Sequence, residues 1–183
     1  MNTLGKLLSG IIVTIALLLP AQGAGATSAA NGADLGLASS LIATGGGAGS
    51  FSTIRAFDRM VGPDTTLSLE NRLATAEGQG NANQFVSMFD YAINDAWRLA
   101  GVNNVSMPSA TENGGVGLAQ QLVQAGTVNN GTFSGSIFFQ NLFGSTIASE
   151  IMADLNQHFG PGSSAQFDRM SGQFFHDLTS SSS

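Results

Sequence analysis

The chain has 183 residues, of which 43% are hydrophobic and only 10% charged, so Asn, Gln, Ser, Thr and Gly must supply most of its polar surface. The formal net charge is −6, and Lys6 is the only lysine, so the remainder carries five arginines against twelve carboxylates and builds no basic patch for nucleic acid or anionic lipid. Cysteine is absent, which excludes disulfides, thiolate nucleophiles, thiolate metal sites and c-type haem attachment.

Residues 1–26 read as a secretory signal peptide. Lys6 gives the positive start, Leu7 to Leu19 the apolar run and Pro20 its break, and small residues offer cleavage after Gly23 or Ala26. The run is about 13 residues, short of the roughly 20 that span a bilayer. No later stretch is long and apolar enough, so no membrane span is expected once the signal is removed. The expected destination is the periplasm or the extracellular space, and the missing cysteines suit a bacterial route.

Residues 27–50 are rich in Gly, Ala and Ser and are expected to form a linker with one short helix at most. Asp34 to Ala43 could make that helix, with Leu35, Leu37, Leu41 and Ile42 packing. The cluster Gly45, Gly46, Gly47 and Gly49 is no phosphate loop, because GxxxxGK[ST] needs a lysine. Residues 51–179 are expected to form one helical domain and 180–183 a disordered tail.

Within that domain, Ser50 or Ser52 could cap a helix ending at Val61, before Gly62-Pro63. Asp64 then reads as the N-cap of a helix to about Glu77, and Gly78 and Gly80 as breaks. The clearest helical pattern follows, from Asn81 to Gly101. Phe85, Met88, Phe89, Ala92, Ile93, Ala96, Trp97 and Ala100 share one face, and the chain's only Tyr and only Trp are both here. This helix is expected to be the spine of the fold, with Phe89 and Trp97 at the centre of its core. Asn103 to Gly115 reads as a loop and Val116 to Ala125 as a short apolar helix. Asn129-Asn130-Gly131 could turn a hairpin, but its flanks do not alternate, and a helix–helix turn is preferred. An aromatic segment runs from Phe133 to Phe143. Ser145 could cap a helix to Phe159, and Ser163 or Ser164 a last helix to Leu178. The pattern Phe57-Asp58-Arg59-Met60 returns as Phe167-Asp168-Arg169-Met170, but its flanks do not match and it is not read as a duplication. The fold expected is all-α, a single irregular bundle of five to seven short helices.

Chemistry-bearing residues are scarce. Glu150, Asp154 and His158 fall four apart, one stripe on a helix that could chelate a divalent metal and serve a metal-dependent hydrolase. The same stripe would also suit a solvated helix edge. His158 and His176 are the only histidines and the candidate ligand-binding residues. Twelve Phe and six Met could wall a pocket for haem or another apolar ligand, with a histidine as axial ligand. Asp95 and Arg98 read as a weak surface pair. No GxSxG or paired-carboxylate arrangement can be placed, so no catalytic residue is assigned. The leading expectation is an exported, non-catalytic protein acting by binding or assembly, with a protein partner or a second copy of itself. The haem or apolar-ligand carrier and the metal-dependent hydrolase are the alternatives.

Overall fold

The computed structural model describes residues 33–101, 115–129 and 131–181. The expected signal peptide, residues 27–32 of the linker, nearly all of the loop 103–115 and Ser182–Ser183 lie outside the described residues. Among those described, the chain forms eight α-helices and no strand: α1 Leu35–Gly45, α2 Thr53–Val61, α3 Pro63–Glu77, α4 Gln79–Leu99, α5 Val116–Gly126, α6 Gly135–Phe143, α7 Ser145–Phe159 and α8 Ser163–Ser181. The fold is an all-α bundle, as expected: seven helices follow residue 50, and α1 is the short helix of the expected linker.

Local chemistry sets the helix ends. Asp34, Ser52 and Ser134 are N-caps whose side chains accept the backbone N–H of Leu37, Arg55 and Ile137. Gly62, Gly78, Gly144 and Gly160 each end one helix with φ between 89° and 105°, and the first three also start the next. A side chain is strained at that φ, so glycine lets the chain swing between helices there without a longer loop.

These junctions repeat. Helices α1 to α4 have 11, 9, 15 and 21 residues, and α5 to α8 have 11, 9, 15 and 19. Residues 49–88 align with 131–170 at a constant spacing of 82. Gly49, Phe51, Ser52, Phe57, Gly62, Leu73, Gly78, Gly80, Gln84, Phe85 and Met88 are identical to their counterparts. The backbone matches as well. Ser52 has φ −131° and ψ 125°, and Ser134 has φ −126° and ψ 126°. Ser52 N–H donates to the Gly45 carbonyl at 3.0 Å and Ser134 N–H to the Gly126 carbonyl at 2.8 Å. The Phe51 ring covers Gly45 and the Phe133 ring covers Gly126. Arg59 Nη1 donates to the Thr44 carbonyl, and its counterpart Asn141 donates through Nδ2 to the Ala125 carbonyl. The described residues therefore form two copies of one four-helix unit. The sequence reading saw no duplication, and the register corrects that; it also keeps the Phe-Asp-Arg-Met echo out of the repeat, since Phe57 pairs with Phe139 and Phe85 with Phe167.

The halves interlock. Helix α3 packs on α8 as α7 packs on α4, α2 packs on α5 as α6 packs on α1, and α4 and α8 pack on each other. That reciprocity is the mark of an isologous, two-fold arrangement. Phe85 and Phe167 are equivalent residues, and their rings stack across the junction at 5.8 Å and 28°. Phe89 lies beside them, 1% exposed, with Phe51, Phe85, Phe138, Phe139, Phe167 and Phe175 around it. Trp97 is buried too, at 5% exposure, but the hub of the rings is Phe89.

Several sequence expectations are revised. The helix expected in the linker exists and is packed: Ala38, Leu41 and Ile42 of α1 belong to the core. Asp64 does not cap α3; Gly62 does, and Pro63, lacking an N–H, takes the first turn with Asp64 behind it. Gly80 does not break the chain but lies inside α4. Ser145 is the first residue of α7 and its cap is Gly144. Around 129–131, Thr127 and Phe133 form an isolated antiparallel bridge, and Val128 N–H donates to the Thr132 carbonyl at 2.9 Å. The turn is thus closed like a small hairpin. The expected tail at Ser180 is helical through Ser181, where the Thr179 and Ser180 hydroxyls donate to the His176 carbonyl.

Candidate binding clefts

Helix α4 divides its polar residues between two tasks. Asp90 Oδ1 accepts both the N–H and the hydroxyl of Thr53, each at 2.6 Å. Asn94, one turn later, holds the Phe51 backbone: its Oδ1 accepts the N–H at 3.2 Å and its Nδ2 donates to the carbonyl at 3.4 Å. These two residues fix the start of α2. In the second half Asp168 does the same for α6, accepting the Ser134 hydroxyl at 2.9 Å and the Ser136 N–H at 3.1 Å. A carboxylate suits the positive end of a helix dipole, and here each is supplied by another helix.

The adjoining face of α4, Asn94 included, lines a cleft of about 560 Å³ with Gly49, Tyr91, Asp95, Trp97 and Arg98. Tyr91, Asp95 and Arg98 fall at i, i+4 and i+7 and so stand on one face. Arg98 donates through Nε at 2.7 Å and Nη2 at 2.5 Å, both to Asp95 Oδ1. The guanidinium fork closes on a single oxygen instead of spanning the carboxylate. Asp95 Oδ2 is buried with no hydrogen-bond partner, while the side chains of Asp95 and Arg98 are 11% and 68% exposed. The pair is therefore formed, but it is no surface pair on the carboxylate side. Burial raises the Tyr91 pKa above its ordinary value, and repulsion from Asp95 and Asp154 adds to the effect while Arg98 opposes it. The Tyr91 phenol therefore remains protonated well above neutral pH. The Asp95 hydrogen bond and charge in turn raise the Arg98 pKa.

A cleft of about 470 Å³ occupies the equivalent place in the second half, lined by Gly131, Asp168, Gln173, His176 and Thr179 over the buried Phe133 and Phe175. Gly131, Gln173, His176 and Thr179 are the counterparts of Gly49, Tyr91, Asn94 and Trp97 at the same spacing of 82. The duplication has kept the cleft and changed its lining. Phe133 and Phe175 stack at 3.9 Å and 15° beneath it.

The sequence-predicted site residues separate. Glu150, Asp154 and His158 do share α7, with Glu150 and His158 exposed and Asp154 half-buried. Among the described residues no three His, Asp or Glu side chains come together in a metal-holding group. The His158 ring instead stacks on Tyr91 at 4.6 Å and 18°, with its edge toward Phe159 at 4.8 Å. His176 is exposed on α8 in the second cleft. The two histidines therefore serve different halves, and the buried Phe rings face one another. Sequence reasoning missed Tyr91 and Trp97 as cleft residues. The available signal was a unique Tyr and a unique Trp on one helix beside an Asp–Arg pair. No protein-family model matches this chain, and comparison with curated proteins and with solved structures finds none that is similar.

Proposed function

We propose that the chain is an exported, non-catalytic protein that works by binding or assembly in the periplasm or outside the cell. The observation that carries this reading is how its charged groups are employed. Asp90 and Asp168 hold helix starts, Arg59 holds the end of α1, and Arg169 pairs with Glu77. Three carboxylates, Asp90, Asp168 and Glu77, thus serve as fixed acceptors of the fold. What remains is a duplicated frame with open clefts in both halves, a suitable form for recognition at more than one point. The signal-like residues 1–26 support export.

Size-exclusion chromatography with light scattering, run over a range of concentrations and with the exported fraction of the source cell, tests the reading. A defined oligomer or a stoichiometric complex is expected. A strict monomer that retains no partner would overturn it. Intact-mass measurement of the exported protein should show the chain beginning after Gly23 or Ala26, and a mature protein that still carries Lys6 would remove the export part.

A further inference from the structure

We propose that the cleft beside the C-terminal half of α4 is a binding site for a neutral, hydroxyl-rich ligand of the saccharide class, seated on Tyr91 beside the largely buried Trp97 and donating a hydroxyl hydrogen to Asp95 Oδ2. The inference rests on the binding half of the function proposed above and names its ligand class. Three observations carry it.

The first is an acceptor without a donor. Asp95 Oδ2 is buried and unpartnered because both Arg98 donors go to Oδ1. A buried polar atom left unsatisfied destabilises a fold, so in a native protein it calls for a ligand or a role. The cleft that Asp95 lines is where such a donor can arrive.

The second is the company Asp95 keeps. Arg98 is 68% exposed and lines the cleft, while the protonated Tyr91 phenol both donates and accepts. His158 braces the Tyr91 ring by stacking on one face. Aromatic rings supply apolar contact to the C–H faces of a sugar, and the polar groups around them read its hydroxyls. Because Arg98 already neutralises Asp95, a ligand ammonium would meet a cation beside its carboxylate. The pair therefore favours a neutral donor over a charged one.

The third is the duplication. The second cleft holds Gln173 and Thr179 where this one holds Tyr91 and Trp97. Both halves keep the frame, but only the first carries Tyr and Trp on this helix face, while the rings of the second are Phe133 and Phe175 beneath the cleft. The second cleft is therefore a built-in control that should not bind the same ligand.

The chain has a single Trp, so its fluorescence reports on this cleft alone. The full exported chain is titrated with glucose, galactose, mannose, N-acetylglucosamine and their β-linked disaccharides at millimolar concentrations, with saturation-transfer NMR in parallel. A saturable change in Trp97 emission with at least one of these sugars is expected. Asp95→Asn and Tyr91→Leu should each weaken it about tenfold or more, the loss of one hydrogen bond or one contact face. His176→Ala, in the second cleft, should leave it unchanged. Far-UV circular dichroism confirms that each variant is folded, and the wild-type titration decides the matter without them. No saturable response to any sugar, a response retained in Asp95→Asn, or a response to ethylammonium chloride instead would overturn the proposal. Light scattering is a separate readout, so a monomer that binds sugar and a sugar-indifferent oligomer are distinguished.

Discussion

Phe89 and Trp97 have similar burial but different surroundings, and that difference sets what each contributes. Phe89 is packed among six other phenylalanine rings drawn from both halves, whereas Trp97 lines a cleft. Truncating a large buried aromatic costs about 3–5 kcal/mol, with the larger values where the surroundings cannot collapse. Phe89→Ala is expected near the top of that range and Trp97→Ala near the bottom, as read from urea-denaturation midpoints. The reverse order would misplace the centre of the core. Glu70 gives a prediction of opposite sign. It accepts no hydrogen bond and pairs with no cation among the described residues. Burial raises its pKa above 4.5, and Asp58 adds repulsion. A carboxyl whose folded pKa is raised contributes stability below its unfolded pKa, and that contribution is lost as pH rises through the folded value. Glu70→Gln, neutral throughout, should therefore be slightly more stable than the parent at pH 7. The gain should be a few tenths of a kcal/mol, because much of the group is solvated. In thermal melts this advantage should shrink on acidification and vanish once Glu70 is protonated. A variant less stable than the parent at pH 7 would show that the carboxylate has a favourable partner.

At the scale of the element, the helices were legible because their chemistry is local. Ser52 and Ser134, Gly62-Pro63 and the apolar spacing along α4 all announce themselves within a few residues. Less legible was what lies between helices, because it depends on side chains far apart in sequence. The loss of Asp64 as a cap follows from Pro63 beside it, and Asp90 reaches Thr53 over 37 positions. The ring-on-glycine contacts are of this second kind. A Cβ on Gly126 would lie 2.1 Å from the Phe133 ring, and that ring cannot withdraw because it is stacked on Phe175 at 3.9 Å. Gly126→Ala should therefore cost about 1–3 kcal/mol by overpacking. Gly80 lies inside α4 with nothing within 4 Å of a Cβ, so Gly80→Ala should stabilise by about 0.5–1 kcal/mol. Chemical denaturation of the two variants side by side checks both signs. A neutral Gly126→Ala would mean that the Phe133 ring has room to move.

At the scale of the molecule, the duplication was hidden for a physical reason. Selection for a helical core preserves size and apolarity more than identity, so Met60 faces Leu142 and Leu69 faces Ile151 in the register of 82, and only eleven of forty positions agree outright. The residues that do agree are concentrated where geometry is demanding, at positive-φ glycines, a cap serine and the central phenylalanines. The clefts were hidden too, since Tyr91, Gly49 and His158 belong to three elements that only the fold unites. The crosswise packing has a consequence for folding. Because α3 rests on α8 and α7 on α4, neither half can bury its own apolar faces without the other. The two halves should therefore unfold together. Trp97 lies in the first half and is the only Trp, so its emission follows that half, while far-UV dichroism follows all eight helices. In urea the two signals should give one coincident transition. Phe167→Ala removes a ring from the second half that stacks on Phe85, yet it should lower the Trp97 midpoint as much as the dichroism midpoint. A Trp97 transition unmoved by that substitution, or two separated transitions, would mean that the halves are independent units placed side by side.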